Sequence, residues 1–213
     1  MIYRGENPLF VLGIVMSDGK YKAGVNLVAG VGYNDGKYPS TNTKEHSLWR
    51  SMLSRCYNER NLKLKPAYRG CSVSENFKNY TYFYEWCNNQ IGFGEDGWNL
   101  DKDLLIKGNK VYSEDTCVFV PMEINNVIVK ADSLRGDLPI GVVFDKSRNK
   151  FQARMWANNK PKFLGRYETP EEAFTVYKLN KEKHIKKIAE EWKGVIDYRA
   201  YEALINYEVD IND

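Results

Sequence analysis

The chain has 213 residues, of which 43% are hydrophobic and 28% charged, enough to bury a core in one or two small domains. No window approaches the roughly 20 uninterrupted apolar residues of a membrane span, and the N-terminus lacks the pattern of a secretory signal, so we expect a cytoplasmic protein with no membrane partner. The net charge of +3 is too small to indicate a nucleic-acid partner by itself.

The charge is unevenly distributed along the chain. Residues 141–193 hold 13 Lys and Arg against 7 Asp and Glu, whereas residues 194–213 hold one Arg against five acids. A basic module followed by an acidic tail indicates an anionic partner for the module. The alternative is a solvated surface with no particular role.

The first predicted elements are two short strands and two amphipathic helices. In residues 10–30, an Asp-Gly dipeptide between apolar runs predicts a β-hairpin. Apolar residues at helical spacing from Trp49 to Tyr57 predict a first helix. Ser74 is the expected N-cap of a second helix, whose apolar face reaches Ile91.

The next elements are predicted in the order strand, loop, strand, helix. The first strand is expected at 98–105 and the return strand at 111–120. Pro121, whose φ is already helical, is expected to open a helix that runs to Val129. The predicted unit is therefore ββα.

The segment from Gly141 onward predicts a three-stranded sheet covered by one helix. In KFQARMW, polar side chains and an indole alternate with apolar ones, so one face of the strand is expected to meet a partner and the other the core. Thr169 is the expected N-cap of the covering helix, with Pro170 at its first position. The acidic tail predicts a short terminal helix that packs either on the body of the protein or on a second copy in a homodimer.

These elements define an α+β fold with four predicted regions. They are a β-rich segment at 1–43, a ββα-containing domain at 44–130, a sheet-and-helix domain at 138–193 and a helical tail at 194–213. The four cysteines should be reduced in the cytoplasm, which favours packing or metal binding over disulfides. No CxxC pair occurs among Cys56, Cys71, Cys87 and Cys117, so a Zn²⁺ site is disfavoured.

Several segments in residues 44–126 belong together: WRSMLSRCYNER, YRGCSV, FYEW, LDKDLLIKGNKVYSEDTC and a final INN. They resemble the bacteriophage HNH-type (His-Me finger) homing-endonuclease-like proteins. A second segment, GVVFDKSRNKFQARMWANNKPKFLGRYETPEEAFTVY, is similar to an AP2 DNA-binding domain. The two resemblances imply a double-stranded DNA partner. The residues expected to bind DNA are Arg148, Lys150, Gln152, Arg154, Trp156, Lys162 and Arg166.

The resemblance also implies a nuclease site in which a histidine acts as general base and a divalent metal ion stabilises the phosphate. Lys102 stands where that histidine is expected, and a protonated lysine cannot take up a proton. The implied catalytic residues are Asp101, Lys102, Asp103 and Asn109, with His46 as a substitute base. The implied ligands of Mg²⁺ or Mn²⁺ are Asp101, Asn125 and Asn126.

Two functions are therefore expected as alternatives. The first is a metal-dependent endonuclease that finds its site with the AP2-like sheet. The second is a nuclease-derived DNA binder that has lost cleavage and acts as a repressor or interference factor. In the second case the LDKD stretch is an ion-paired strand end.

Overall fold

The computed structural model describes residues 27–128, 137–157 and 160–211. Within them the helices are α1 (Lys44–Tyr57), α2 (Glu59–Leu64), α3 (Glu75–Lys78), α4 (Tyr80–Asn88), α5 (Met122–Ile128), α6 (Pro170–Glu191) and α7 (Tyr198–Ile205). The strands are β1 (Ser72–Val73), β2 (Trp98–Asp101), β3 (Val111–Tyr112), β4 (Val118–Pro121), β5 (Val142–Asp145), β6 (Lys150–Ala157) and β7 (Lys160–Tyr167). The fold is α+β, as predicted, and these strands form three small sheets. The hairpin predicted at 10–30 lies outside the described residues, apart from residues 27–30.

The chain forms two compact units. Unit 1 consists of the described parts of Met1–Gly94 together with Ile106–Cys117, and unit 2 of Glu95–Leu105 together with the described parts of Val118–Asp213. The ββα elements and the C-terminal sheet, which the sequence analysis divided between 44–130 and 138–193, share unit 2.

The core of unit 1 is built on the apolar face of α1. Trp49, Met52, Leu53 and Cys56 are buried at the predicted helical spacing. The indole N–H of Trp49 donates to the backbone carbonyl of Phe77 at 2.7 Å. All four cysteines are buried thiols of this unit, and burial raises the pKa of the Cys87 thiol above its ordinary value.

The second predicted helix is divided into α3 and α4. Ser74 caps α3 as predicted, but Asn79 leaves helical conformation and its side chain caps α4 by accepting from the Tyr82 N–H. The interruption rotates the buried face, so Phe83 is fully buried whereas Ile91 is exposed. A single helix from Ser74 to Ile91 was therefore wrong.

The ββα order is present in unit 2, with three corrections to its boundaries, of which the first is that β2 ends at Asp101 and not at residue 105. Strand β2 pairs antiparallel with β4, and Trp98 lies opposite Pro121. Val111 and Tyr112 do not extend β4, because they pair in parallel with Ser72 and Val73 in unit 1. Pro121 ends β4 instead of opening the helix, and α5 begins at Met122.

Helix α6 joins two hydrophobic clusters of unit 2. Thr169 and Glu172 form a capping box at its start, as the N-cap prediction required. Its first half buries Ala173, Phe174 and Tyr177 against the three-stranded sheet. Its second half buries Ile185, Ile188 and Ala189 beside β4, α5 and α7. The acidic tail therefore packs on the body of unit 2 through Ala200 and Leu204 of α7.

Candidate nucleic-acid interface

The sheet of unit 2 has one covered face and one exposed face. Its strand order is β5-β6-β7 and both pairings are antiparallel. On β6, Ala153 and Met155 are buried toward α6, whereas Arg154 and Trp156 are exposed on the other side. The alternation predicted from KFQARMW is confirmed.

A β-bulge decides which residues of β7 join the exposed face. The pairing shifts between Ala153 and Arg154, so Gly165 lies opposite Ala153 while Phe163 lies opposite Arg154. Directly paired residues project from the same side of a sheet, so Phe163 shares the face of Arg154. Lys162 lies opposite Met155 and therefore on the side of the sheet that α6 covers. The register therefore separates Lys162 from Arg166, although both are predicted DNA contacts.

The Asp145 carboxylate organises the arginines of the exposed face. It accepts hydrogen bonds from the Ser147 hydroxyl at 2.6 Å, from Arg166 Nε at 3.1 Å and from the Gln152 amide. The Arg148 guanidinium lies 3.9 Å from the same carboxylate. The hydrogen bonds, first those from Ser147 and then those from Arg166 and Gln152, hold the pKa of Asp145 well below its usual range. Asp145 is therefore ionised throughout the physiological range.

Gln152 extends this network to a third arginine. Its carbonyl oxygen accepts from Arg154 Nε at 2.8 Å, and its side chain is buried within the face although the residue is polar. Arg154 and Arg166 both use Nε in these bonds. Within the described residues, no hydrogen bond occupies their terminal NH₂ groups. Those groups are the donors that a guanidinium offers to a phosphate or to a guanine edge.

The remaining face residues add aromatic surface and one ion pair. Trp156 is 65% exposed and Phe163 is 51% exposed. The Arg166 guanidinium lies 4.9 Å above the Phe163 ring, a cation–π contact that holds its plane. Lys150, a predicted DNA contact at the start of the central strand β6, is paired with Glu168.

Replacing Asp145 with asparagine is expected to lower the discrimination between specific and non-specific DNA about tenfold, because Arg148 and Arg166 lose the charge that orients them. Non-specific affinity should rise at the same time, since the face loses a negative charge. Binding to a duplex selected from a random pool and to an unrelated duplex measures both effects. The control is Glu168→Gln, which also removes an acid but leaves the arginines bonded. An unchanged ratio in Asp145→Asn would contradict the role of Asp145.

The predicted nuclease residues of unit 2 form a closed turn after β2. Asp101 Oδ1 accepts the backbone N–H groups of Asp103 at 2.9 Å and Leu104 at 2.7 Å. Burial, followed by the charge of Asp103, raises the pKa of Asp101. The Lys102 ammonium lies 3.0 Å from Asp103 Oδ2, and its side chain is only 8% exposed. These contacts agree with the alternative interpretation of LDKD as an ion-paired strand end.

The other predicted site residues lie elsewhere in the fold. Asn109 belongs to unit 1, where its side-chain amide exchanges two hydrogen bonds with the backbone of Val111. His46 also belongs to unit 1, on α1. Asn125 and Asn126 lie on α5, the first half-buried and the second exposed.

The residues around Asp101 do not fit a divalent cation. A buried ammonium next to the carboxylate repels a second positive charge, and one Asp101 oxygen already serves two backbone donors. In residues 27–128, 137–157 and 160–211, no three His, Cys, Asp or Glu side chains form a group that could hold a metal ion. We therefore derive no step through Mg²⁺ or Mn²⁺ at this turn.

No protein-family model matches the chain, and neither a curated protein nor a solved structure shows significant similarity to it. None of the described helices is both long enough and apolar enough to cross a membrane.

Two residues of the interface were absent from the sequence-based prediction. Asp145 carried a local signal, because an Asp two residues before a Ser in a turn often accepts from its backbone N–H, as it does here at 3.1 Å. Phe163 carried none, since only the bulge places it beside Arg154.

Proposed function

We propose that this protein binds double-stranded DNA through the exposed face of β5, β6 and β7. The observation that carries the proposal is a network in which Asp145 contacts Arg148 and Arg166 and is linked to Arg154 through Gln152, next to two exposed aromatic rings. The resemblance of this segment to AP2 domains supports the same function.

The dimensions of the sheet suit the major groove. Three strands at about 4.8 Å spacing give a backbone about 10 Å wide, against a groove of about 12 Å. Arginine can donate two hydrogen bonds to O6 and N7 of guanine, and each such contact contributes about 1 to 3 kcal/mol of discrimination. Trp156 and Phe163 would supply apolar contact with thymine methyl groups or sugars.

An exposed lysine at the end of the sheet would contact a phosphate and help to fix the register. Lys146 lies there, in the β5–β6 turn. Contacts of this kind release counterions, so the affinity should fall steeply with salt.

The proposed role is binding without cleavage at the LDKD turn. Lys102 is buried and ion-paired, and Asp101 accepts two backbone N–H groups of the turn. This loop therefore supplies neither a general base nor a cation site. A repressor or interference factor is the corresponding biological class. Metal-dependent cleavage stays the alternative prediction.

One experiment distinguishes these functions. Full-length protein is incubated with long bacteriophage DNA in Mg²⁺, Mn²⁺ or EDTA, and the products are examined for fragments and for retarded mobility. We expect a salt-sensitive mobility shift in all three conditions and no discrete fragments. Fragments that require metal and vanish in Asp101→Ala would establish the endonuclease instead. The absence of any shift at low salt would refute DNA binding itself.

A further inference from the structure

Unit 1 contains a polar cleft, and none of its described lining residues belongs to the sheet face proposed to bind DNA. It is open, has a volume of about 770 Å³ and runs along the solvent-facing side of α1. His46, Arg50 and Ser54 recur on this side at four-residue spacing, with Ser47 and Ser51 beside them. The spacing puts one cation, one imidazole and three hydroxyl groups along a single wall.

The lining is free of acids. No Asp or Glu lines the cleft among the described residues, and Arg50 makes no ion pair there. The nearest acid in sequence, Glu45, does not line the cleft and accepts instead from the Asn88 amide at 3.0 Å. Since arginine is always protonated, the described lining of the cleft carries a positive charge.

The hydroxyl groups on the wall are available as donors. Ser47 and Ser51 make no side-chain hydrogen bond to any described residue. Ser54 accepts from the Asn61 amide at 2.7 Å, which leaves its own O–H free to donate. The lining also includes residues 40–42, which immediately precede the N-cap Thr43. The positive end of the α1 dipole therefore lies at this end of the cleft.

His46 lies in a partly buried aromatic setting beside Arg50. Its ring packs against Trp49 and Tyr80, with centroids 5.8 and 5.1 Å away. Burial, and then the charge of Arg50, lower the pKa of His46, while a hydrogen bond with the backbone of Ser40 opposes them. The Tyr80 hydroxyl, whose pKa burial raises, donates to the Pro39 carbonyl at 2.7 Å. Arg50 is therefore the fixed charge of the cleft.

We propose that this cleft binds a phosphoryl group, with the Arg50 guanidinium as its charged anchor and the serine hydroxyls of α1 as hydrogen-bond donors. The ligand is either a backbone phosphate of DNA or a small phosphate compound, since both present the same oxygens to the same donors. The site does not depend on the sheet face, because every described lining residue belongs to unit 1.

The test uses His46 as a reporter. The chain has two histidines, so His184→Gln leaves His46 as the single imidazole resonance in a proton NMR spectrum. Its titration is followed between about pH 5 and 8 at constant ionic strength, alone, with inorganic phosphate and with a short DNA duplex. An anion held beside His46 favours the protonated ring, so its pKa should rise by about one unit. Arg50→Gln should abolish the rise, whereas Arg60→Gln, which removes an exposed charge of α2 outside the cleft, should retain it.

Each outcome decides the proposal. A rise with either ligand that requires Arg50 supports it, and the ligand that produces the rise identifies the source of the phosphate. No rise with either ligand, or an equal rise in Arg50→Gln, overturns it. The phosphate arm is repeated in Arg154→Ala with Arg166→Ala. A response that persists there separates this cleft from the sheet, so the two proposals can fail independently.

Discussion

Replacing Arg154 and Arg166 together with alanine is expected to weaken binding of a selected DNA duplex at least about 30-fold. Each guanidinium is oriented through Nε and offers its terminal NH₂ groups outward, so each can make one bidentate contact worth about 1 kcal/mol or more. Two such contacts, about 2 kcal/mol together, correspond to about 30-fold in the dissociation constant. Fluorescence anisotropy at several salt concentrations measures the loss.

The control removes the same charge from another surface. Arg60 and Arg69 are both exposed on unit 1, and neither lines the α1 cleft. Their double replacement by alanine should change affinity slightly and should not alter the preference for the selected sequence. Equal losses in both double variants would show that only net charge matters. Full affinity in Arg154→Ala with Arg166→Ala would exclude this face of the sheet as the DNA-binding surface.

Replacing Gly141 with alanine is expected to destabilise unit 2 by about 2 to 4 kcal/mol. Gly141 has a φ of +76°, which costs an L-residue about 1 kcal/mol. A Cβ there would lie 2.0 Å from Cδ2 of the buried Tyr177, and overpacking of this kind costs about 1 to 3 kcal/mol. The Gly141 carbonyl also accepts the Arg154 N–H at 2.8 Å, so displacement should disturb β6, the strand proposed to bind DNA. Urea unfolding and DNA affinity measure both effects.

Replacing Gly194 with alanine distinguishes the cost of the positive φ from the cost of overpacking against Tyr177. Gly194 lies in the same unit and has the same φ of +76°, but no heavy atom lies within 4 Å of the position of its Cβ. Gly194→Ala should therefore cost only the backbone strain of about 1 kcal/mol. If both alanine variants unfold at the same urea concentration, the contact with Tyr177 does not contribute to the cost of Gly141→Ala.

Much of the secondary structure was predictable because its signals are local. The buried face of α1 follows from apolar residues three and four positions apart, and the start of α6 follows from Thr169, Pro170 and Glu172 within one turn. The exposed face of β6 follows from strict alternation. The break at Asn79 was the local exception, since its side chain stabilises a new helix start inside a continuous apolar pattern.

Strand partners were harder to predict because they join distant segments. Val111 and Tyr112 look like part of the strand that follows them, yet they pair with Ser72 and Val73. The sequence of residues 105–120 does not show that this segment pairs with residues 72–73. The pairing arises because the backbone N–H and C=O groups of both segments need hydrogen-bond partners. The predicted return strand was too long for this reason.

The candidate interface shows the same division between local and distant signals. By itself, the sequence determined the basic strand, its exposed polar face and the capped helix behind it. Only the tertiary structure decided that a bulge places Phe163 on the exposed face and Lys162 on the other side of the sheet. It also decided that Asp145 contacts Arg148 and Arg166 and is linked to Arg154 through Gln152, and that Lys102 is buried in an ion pair. Periodicity and capping act over about four residues, whereas register, hydrogen-bond networks and burial are set by side chains that meet only when separate strands pack together.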